Sequence, residues 1–245
     1  MQGKQIEMRT AAGVARAYEV RGEGDAPLPG VLMLMDGMGF RPALFGMADR
    51  FAAAGYHVLL PDLFARIGPD VQFDPNEVFG SPDKLAEMRK ALSALVPAEL
   101  LEDIRAALDV LVGRRGVDAA RIGVHGYCMG GRYAYLTAAQ FPDRVRAAAA
   151  IHGGGFVTPA PDSPHLAAPK VKARLYFGIA KEDHGFTAEH ERVLREALAS
   201  AGVRFDMDHY EARHGWAVPG SPVFDAAEAE RHYARVLDLY AAELR

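Results

Sequence analysis

The spacing of hydrophobic and polar positions predicts two strands, followed by strands that alternate with helices. Residues 5–8 and 14–20 alternate apolar with polar positions, which is typical of an antiparallel hairpin at a sheet edge. Residues 31–35 form a continuous apolar run, which favours a strand buried on both faces. The same reading predicts further strands at residues 57–60, 121–125, 146–151, 173–178 and 204–210.

Helical periodicity fills most of the segments between these strands. Leu100, Ile104, Leu108 and Leu111 fall on one helical stripe, and Ser221-Pro222 resembles an N-cap followed by proline at the first helical position. Residues 65–82 and 158–169 are rich in proline and polar residues and are expected to be loops. Helices are predicted at residues 42–54, 83–95, 97–112 and 187–200. Another is predicted between the strand at 121–125 and residue 140, and the last from residue 221 onwards.

This order of elements is typical of one α/β domain covering residues 1–245. Strands that alternate with helices favour a mostly parallel central sheet flanked by helices on both faces. The chain has 245 residues, of which half are hydrophobic and 24% are charged, so a core can form without disulfides or a structural metal.

Charge and cysteine content narrow the function classes. A net charge of −4 argues against nucleic acid or an anionic membrane as a partner. Cys128 is the only cysteine, so no internal disulfide can form, and a reducing compartment is expected. The first residues contain no apolar stretch of signal-peptide length, and the most apolar runs are far shorter than the roughly 20 residues of a membrane span. A cytoplasmic protein is predicted.

Residues 126–131, GYCMGG, carry the most specific chemical signal. They lie between a predicted strand and a predicted helix, and they match the nucleophile-elbow pattern with cysteine in place of serine. The turn puts Cys128 at its apex, near a helix N-terminus that favours a thiolate, while the glycines let strand and helix approach. The alternative is a buried structural thiol.

A nucleophile of this kind needs a base and an acid that orients the base. Both are expected after later strands, in the order nucleophile, acid, histidine. Asp183 or Glu182, after the strand at 173–178, can serve as the acid. His214, followed by glycine after the strand at 204–210, is the preferred base. Its rivals are His184, His190 and His209.

Several motifs together resemble the dienelactone hydrolase family of α/β-hydrolases. They are GYCMGG at 126–131, GIAKEDHGFT at 178–187, YEARHGW at 210–216, PDLFAR at 61–66 and MDG at 35–37. The resemblance implies a catalytic triad of Cys128, Asp183 and His214. It also implies an oxyanion hole built from the backbone N–H groups of Gly37 and Met129.

Two positions depart from the pattern of that family. Typical members have a glutamate at the end of the first buried strand, where this chain has the shorter Asp36 as its accessory carboxylate. Members that cleave dienelactone hold a substrate carboxylate with arginines, and no arginine follows His214 in residues 215–219. Phe40, Trp216, Met35 and Met38 instead suggest an apolar pocket mouth, with His152 at its border.

We therefore interpret the sequence as a hydrolase of a small ester or lactone, of the carboxymethylenebutenolidase type, acting by cysteine acyl transfer. The substrate need not be dienelactone, and no metal or organic cofactor is required. A thioesterase or general short-chain carboxylesterase is the nearest alternative. A redox-responsive or binding protein that uses Cys128 as a sensor thiol is the alternative of another class. A small-molecule partner and a monomer or weak homodimer are expected.

Overall fold

An eight-stranded sheet organises the chain in this computed structural model, which describes residues 3–68 and 70–245. The spatial order of the strands is β1-β2-β4-β3-β5-β6-β7-β8. β1 pairs with β2, and β2 with β4, in antiparallel orientation, whereas every pair from β4 to β8 is parallel. The mostly parallel sheet and its edge hairpin are therefore confirmed. The strands are β1 Lys4–Thr10, β2 Gly13–Arg21, β3 Leu28–Leu34, β4 His57–Pro61, β5 Val117–Tyr127, β6 Val145–Ile151, β7 Arg174–Ala180 and β8 Phe205–Tyr210.

Seven α-helices and one 3-10 helix are found among the described residues. The four leucine and isoleucine side chains of the predicted stripe are all buried in α4, as that periodicity requires. α3, in contrast, has no buried residue and lies on the outside of the molecule. The helices are α1 Pro42–Ala53, α2 Pro75–Gly80, α3 Pro82–Ser93, α4 Pro97–Val112, α5 Met129–Gln140, α6 Ala188–Ser200 and α7 Ala226–Leu244, with the 3-10 helix at Pro164–Lys170.

The register of the parallel strands brings several loops to one edge of the sheet. Gly126 pairs with Ala150, Ile151 with Gly178, and Ala180 with Tyr210. The carboxyl ends of β5, β6, β7 and β8 are thus level with one another. The loops that follow them converge at the sheet edge where ligands bind in such folds.

Three predicted element boundaries were wrong. The loop expected at 65–82 contains α2, because the side chain of Asp74 accepts the Asn76 N–H and Pro75 suits the first helical position. The last helix does not begin at Ser221, where the chain only turns. It begins at Ala226, because the carboxylate of Asp225 caps the Glu228 N–H.

The loop expected at 158–169 ends in the 3-10 helix Pro164–Lys170. Pro69, within the first predicted loop, lies outside the described residues, as do Met1 and Gln2 at the N-terminus.

Candidate active site

Cys128 occupies a sharp turn between β5 and α5. Its backbone has φ 53° and ψ −114°, a strained conformation for a residue that is not glycine. A Cβ atom on Gly126 would overlap the carbonyl of Gly130, and one on Gly130 would overlap the carbonyl of Leu34. The two glycines therefore allow the strand, the helix and β3 to meet closely. The residue held in the strained conformation is the one predicted as nucleophile.

Asp183 and His214 are hydrogen-bonded to each other across two loops. Nδ1 of His214 lies 2.7 Å from Oδ2 of Asp183, whose other oxygen accepts the Gly185 N–H at 2.8 Å. Burial acts to raise the Asp183 pKa, but its hydrogen bond to His214 and the positive charge of that ring lower the pKa below its ordinary value. Glu182, the alternative acid, has an exposed side chain and a positive φ of 54°. The structure therefore brings Asp183, and not Glu182, to the imidazole.

The His214 ring also interacts with Cys128. Burial acts to lower the His214 pKa, but the charge that Cys128 can carry and the hydrogen bonds to Asp183 and Cys128 outweigh it and raise the pKa to about 11. These interactions favour a proton on the ring between the sulfur and the carboxylate. This arrangement can move a proton at the sulfur while the carboxylate fixes the ring orientation.

The rival histidines lie elsewhere. His184 is exposed, His190 belongs to the capping box of α6, and His209 is an exposed partner of Glu191. The structure brings none of them into the cavity that contains Cys128.

His152 is a second buried histidine at the site. Its Nδ1 accepts the backbone N–H of Cys128 at 3.1 Å, and its ring centroid lies 5.0 Å from that of His214. Burial, together with the nearby His214, holds the His152 pKa well below its ordinary value. This low pKa favours a neutral ring, and the acceptor role of Nδ1 then assigns the proton to Nε2. Sequence reasoning placed His152 at the pocket border but missed its contact with the elbow.

Asp36 is paired with a residue that sequence reasoning did not single out. Nη2 of Arg41 donates to one carboxylate oxygen at 2.7 Å and Nη1 to the other at 2.5 Å, and both side chains are buried. The Met38 N–H donates to the same carboxylate at 3.0 Å. The only sequence signal for this pair was an opposite charge five positions after Asp36.

A cavity of about 210 Å³ opens at Cys128. Its polar end contains Asp36, Gly37, Cys128, His152 and His214. Its apolar wall consists largely of side chains from the α2–α3 segment, which sequence reasoning did not connect with the site. The apolar residues are Met38, Pro75, Val78, Phe79, Leu85, Met88, Leu92 and Val218.

Of the four residues predicted to form an apolar mouth, Met38 lines this cavity, whereas Phe40 and Trp216 do not, so the prediction needs correction for these two rings. Phe40 is buried against Phe45, with ring centroids 4.7 Å apart. Trp216 is fully buried and stacks on Tyr210 at 4.6 Å. Large aromatic side chains bury most of their area in the core, and here that packing takes precedence over the pocket.

The two residues predicted to supply oxyanion donors come after β3 and directly after the elbow. Gly37 lines the cavity directly after β3. Met129 is the first residue of α5, so its N–H has no acceptor within that helix. Arg66, which lies in the first predicted loop, forms a bidentate pair with Asp103 on α4.

In the described part of the chain, which omits Met1, Gln2 and Pro69, no three His, Cys, Asp or Glu side chains are grouped so that they could hold a metal ion. Among the same residues, no helix is long and apolar enough to span a membrane.

Similarity to known proteins extends over nearly the whole chain. The model of the dienelactone hydrolase family matches residues 15–244. A carboxymethylenebutenolidase of Pseudomonas sp. strain P51 is 28% identical over 241 residues, covering 97% of this chain and 94% of that protein. A Klebsiella pneumoniae structure named "Putative Dienelactone Hydrolase" superposes with a TM-score of 0.84 at 25% identity, covering 98% of each chain. The dienelactone hydrolase-like promiscuous phosphotriesterase P91, from metagenomic libraries, shares the fold, with a TM-score of 0.77 at 18% identity and full coverage of both chains.

Proposed function

Since the chain belongs to the dienelactone hydrolase family, we propose that it hydrolyses a small ester or lactone through an acyl-enzyme on Cys128. One observation carries this proposal. Asp183 is hydrogen-bonded to His214, and His214 interacts in turn with Cys128, which lies at a strained elbow. A sensor thiol requires neither a buried acid nor an oriented histidine. The ordered Asp183–His214 pair therefore favours a hydrolase over a redox sensor.

In the proposed reaction, the sulfur of Cys128 attacks the carbonyl carbon and the π electrons move to the oxygen. The tetrahedral intermediate collapses to a thioester, and the cationic His214 gives its proton to the departing alkoxide. Water then attacks the thioester and gives a proton to the now neutral His214. Collapse of the second intermediate releases the carboxylic acid and restores the sulfur and the cationic ring.

The backbone N–H groups of Gly37 and Met129 are proposed to stabilise the oxyanion in both intermediates. Each such donor is worth about 3 kcal/mol of barrier in comparable enzymes. Gly37 borders the cavity and Met129 begins α5, which supports this assignment.

Asp36 is proposed to act through the backbone rather than by proton exchange with Cys128. Its charge is balanced by Arg41, which also donates to the Gly39 carbonyl at 3.1 Å. The carboxylate, Met38 and Arg41 thereby fix the loop that presents Gly37.

We also propose that helices cover both faces of the sheet. Adjacent residues of a strand point to opposite faces. A Cβ atom added to Gly30 of β3 would meet Leu111 of α4. Gly123 pairs with the residue after Gly30 and so faces the other side of the sheet, where an added Cβ would meet Tyr240 of α7. These contacts support a helix on each face.

Stopped-flow release of p-nitrophenol from p-nitrophenyl acetate tests the proposed function. The parent is expected to give a burst of about one equivalent per chain, followed by slower turnover. Cys128→Ala is expected to show no burst. Equal kinetics in both proteins would exclude Cys128 as the nucleophile.

A further inference from the structure

The cavity has a polar end and an apolar end. The polar end holds Cys128 and His214, and the apolar end is formed mainly by the α2–α3 segment, residues 75–93. Both ends belong to one continuous space of about 210 Å³. A group bound to the sulfur therefore extends naturally towards the apolar wall.

Two side chains of the α2–α3 segment pack directly on the reacting end. A Cβ atom on Gly37 would lie 3.2 Å from Cδ1 of Leu92, and one on Gly215 would lie 3.9 Å from the tip of Phe79. The apolar wall thus touches the loop of the proposed oxyanion donor on one side and the neighbour of His214 on the other. Its surface therefore lies close to the position proposed for the scissile carbonyl.

The charges around the cavity do not favour a buried anion. The guanidinium of Arg41 is occupied by the carboxylate of Asp36. Arg89 also borders the cavity, but it is exposed, so its stem can cover the wall while its charge stays in water. Burying a carboxylate without a partner is strongly unfavourable. Val218, an apolar residue, lines the wall four residues after His214, in a segment that contains no arginine.

We propose that this protein selects neutral esters whose acyl group is an unbranched or cyclic hydrocarbon of about six carbons, held by the α2–α3 wall. This inference rests on the proposed function, since the acyl group is placed by its bond to Cys128. The size follows from the volume, because a cavity of about 150 Å³ accepts benzene. The preference for an acyl group without charge at its far end follows from the apolar wall.

A pair of esters that differ only at the far end of the acyl group tests the proposal. They are p-nitrophenyl hexanoate and mono-p-nitrophenyl adipate, in which a carboxylate replaces the terminal methyl group. The hexanoate is expected to react at least about tenfold faster in kcat/KM. From butanoate to hexanoate, kcat/KM is expected to rise about fourfold per methylene. Faster reaction of the adipate ester, or no dependence on chain length, overturns the proposal.

A matched pair of variants on α3 locates the effect. Met88→Glu puts a charge on the cavity wall, and Ala86→Glu puts the same charge on an exposed position of the same helix. Met88→Glu is expected to lower kcat/KM for the hexanoate about tenfold or more, and to lower it more for the hexanoate than for the acetate. Ala86→Glu is expected to match the parent with both esters. Equal effects of the two variants on the hexanoate contradict the assignment to the wall.

Binding without turnover separates failure of this inference from failure of the proposed function. Hexanamide is expected to protect Cys128 from alkylation by iodoacetamide, whereas the monoamide of adipic acid is expected to protect it much less. Protection by neither amide, or better protection by the charged one, overturns the proposed acyl preference even if Cys128 is the nucleophile. A missing burst alongside selective protection by hexanamide would refute only the acyl-enzyme mechanism.

Discussion

Nδ1 of His214 lies 2.7 Å from Oδ2 of Asp183, although 31 residues separate them in the chain. Because Asp183 occupies Nδ1, the other side of the His214 ring is left for Cys128, with which the ring also interacts. The carboxylate thereby determines which ring nitrogen is available to the sulfur. The proposed reaction depends on this orientation more than on any other single contact.

Asp183→Asn is therefore expected to lower turnover of p-nitrophenyl acetate by about 10³- to 10⁴-fold, because an amide can hold the ring in the wrong tautomer. Glu182→Gln removes the neighbouring carboxylate and is the matched control, expected to retain activity within about twofold. Far-UV circular dichroism should show both variants folded. If Glu182→Gln proved the damaging change, the acid would have to be reassigned.

The His214 pKa of about 11 gives a defined dependence of stability on pH. The value in the unfolded chain is near the ordinary 6.5, so the folded state binds the proton more tightly. This contribution to the free energy of unfolding is complete below pH 6.5. It declines as pH rises and is lost once pH passes about 11.

Cys128→Ser removes the sulfur, so the His214 pKa should fall. The contribution of His214 to the free energy of unfolding should then be lost at a lower pH. Urea unfolding across this pH range, together with NMR titration of the ring, measures both effects. An unchanged titration of His214 in Cys128→Ser would show that the sulfur does not hold the ring cationic.

Gly130→Ala is expected to unfold the elbow or prevent folding, because its Cβ would overlap the carbonyls of Leu34 and Met35. Gly46→Ala is a control within α1, where an added Cβ meets no atom within 4 Å. It should raise the free energy of unfolding by roughly 0.5–1 kcal/mol, as alanine does in helices. Thermal denaturation compares the two, and a well-folded Gly130→Ala would mean that β3 and α5 can separate at little cost.

The buried Asp36–Arg41 pair is expected to contribute to the free energy of unfolding as a coupled unit. Arg41→Met leaves Asp36 without its cation and should cost about 3–5 kcal/mol of unfolding free energy. The double variant Asp36→Asn/Arg41→Met should recover a large part of this loss, since no unpaired charge then stays buried. Denaturant unfolding of the parent, the two single variants and the double variant completes the cycle. Simple additivity of the two changes would argue against a coupled pair.

The sequence was informative where the chemistry is local. The GYCMGG segment contains the whole elbow, and the order of strands located the loops that carry Asp183 and His214. The first buried strand and the α4 stripe were likewise set by their own residues. Local periodicity and glycine placement were sufficient for these features.

Features that depend on distant contacts were missed. Val78 and Met88 become a cavity wall only when the α2–α3 segment packs across the carboxyl ends of the strands. Trp216 follows the predicted base closely, but its ring stacks on Tyr210 in the core. Asp225 rather than Ser221 caps the last helix, a choice between two suitable residues that local propensity did not decide.

The most direct test of the central claim is to identify the acylated residue. The protein is mixed with p-nitrophenyl acetate, quenched in acid during the burst and digested, and the peptides are weighed by mass spectrometry. We expect the mass of one acetyl group on the peptide containing Cys128, and none when the quench follows complete turnover. An acetyl group found only on other residues, with the Cys128 peptide unmodified throughout the burst, would contradict the cysteine acyl-enzyme.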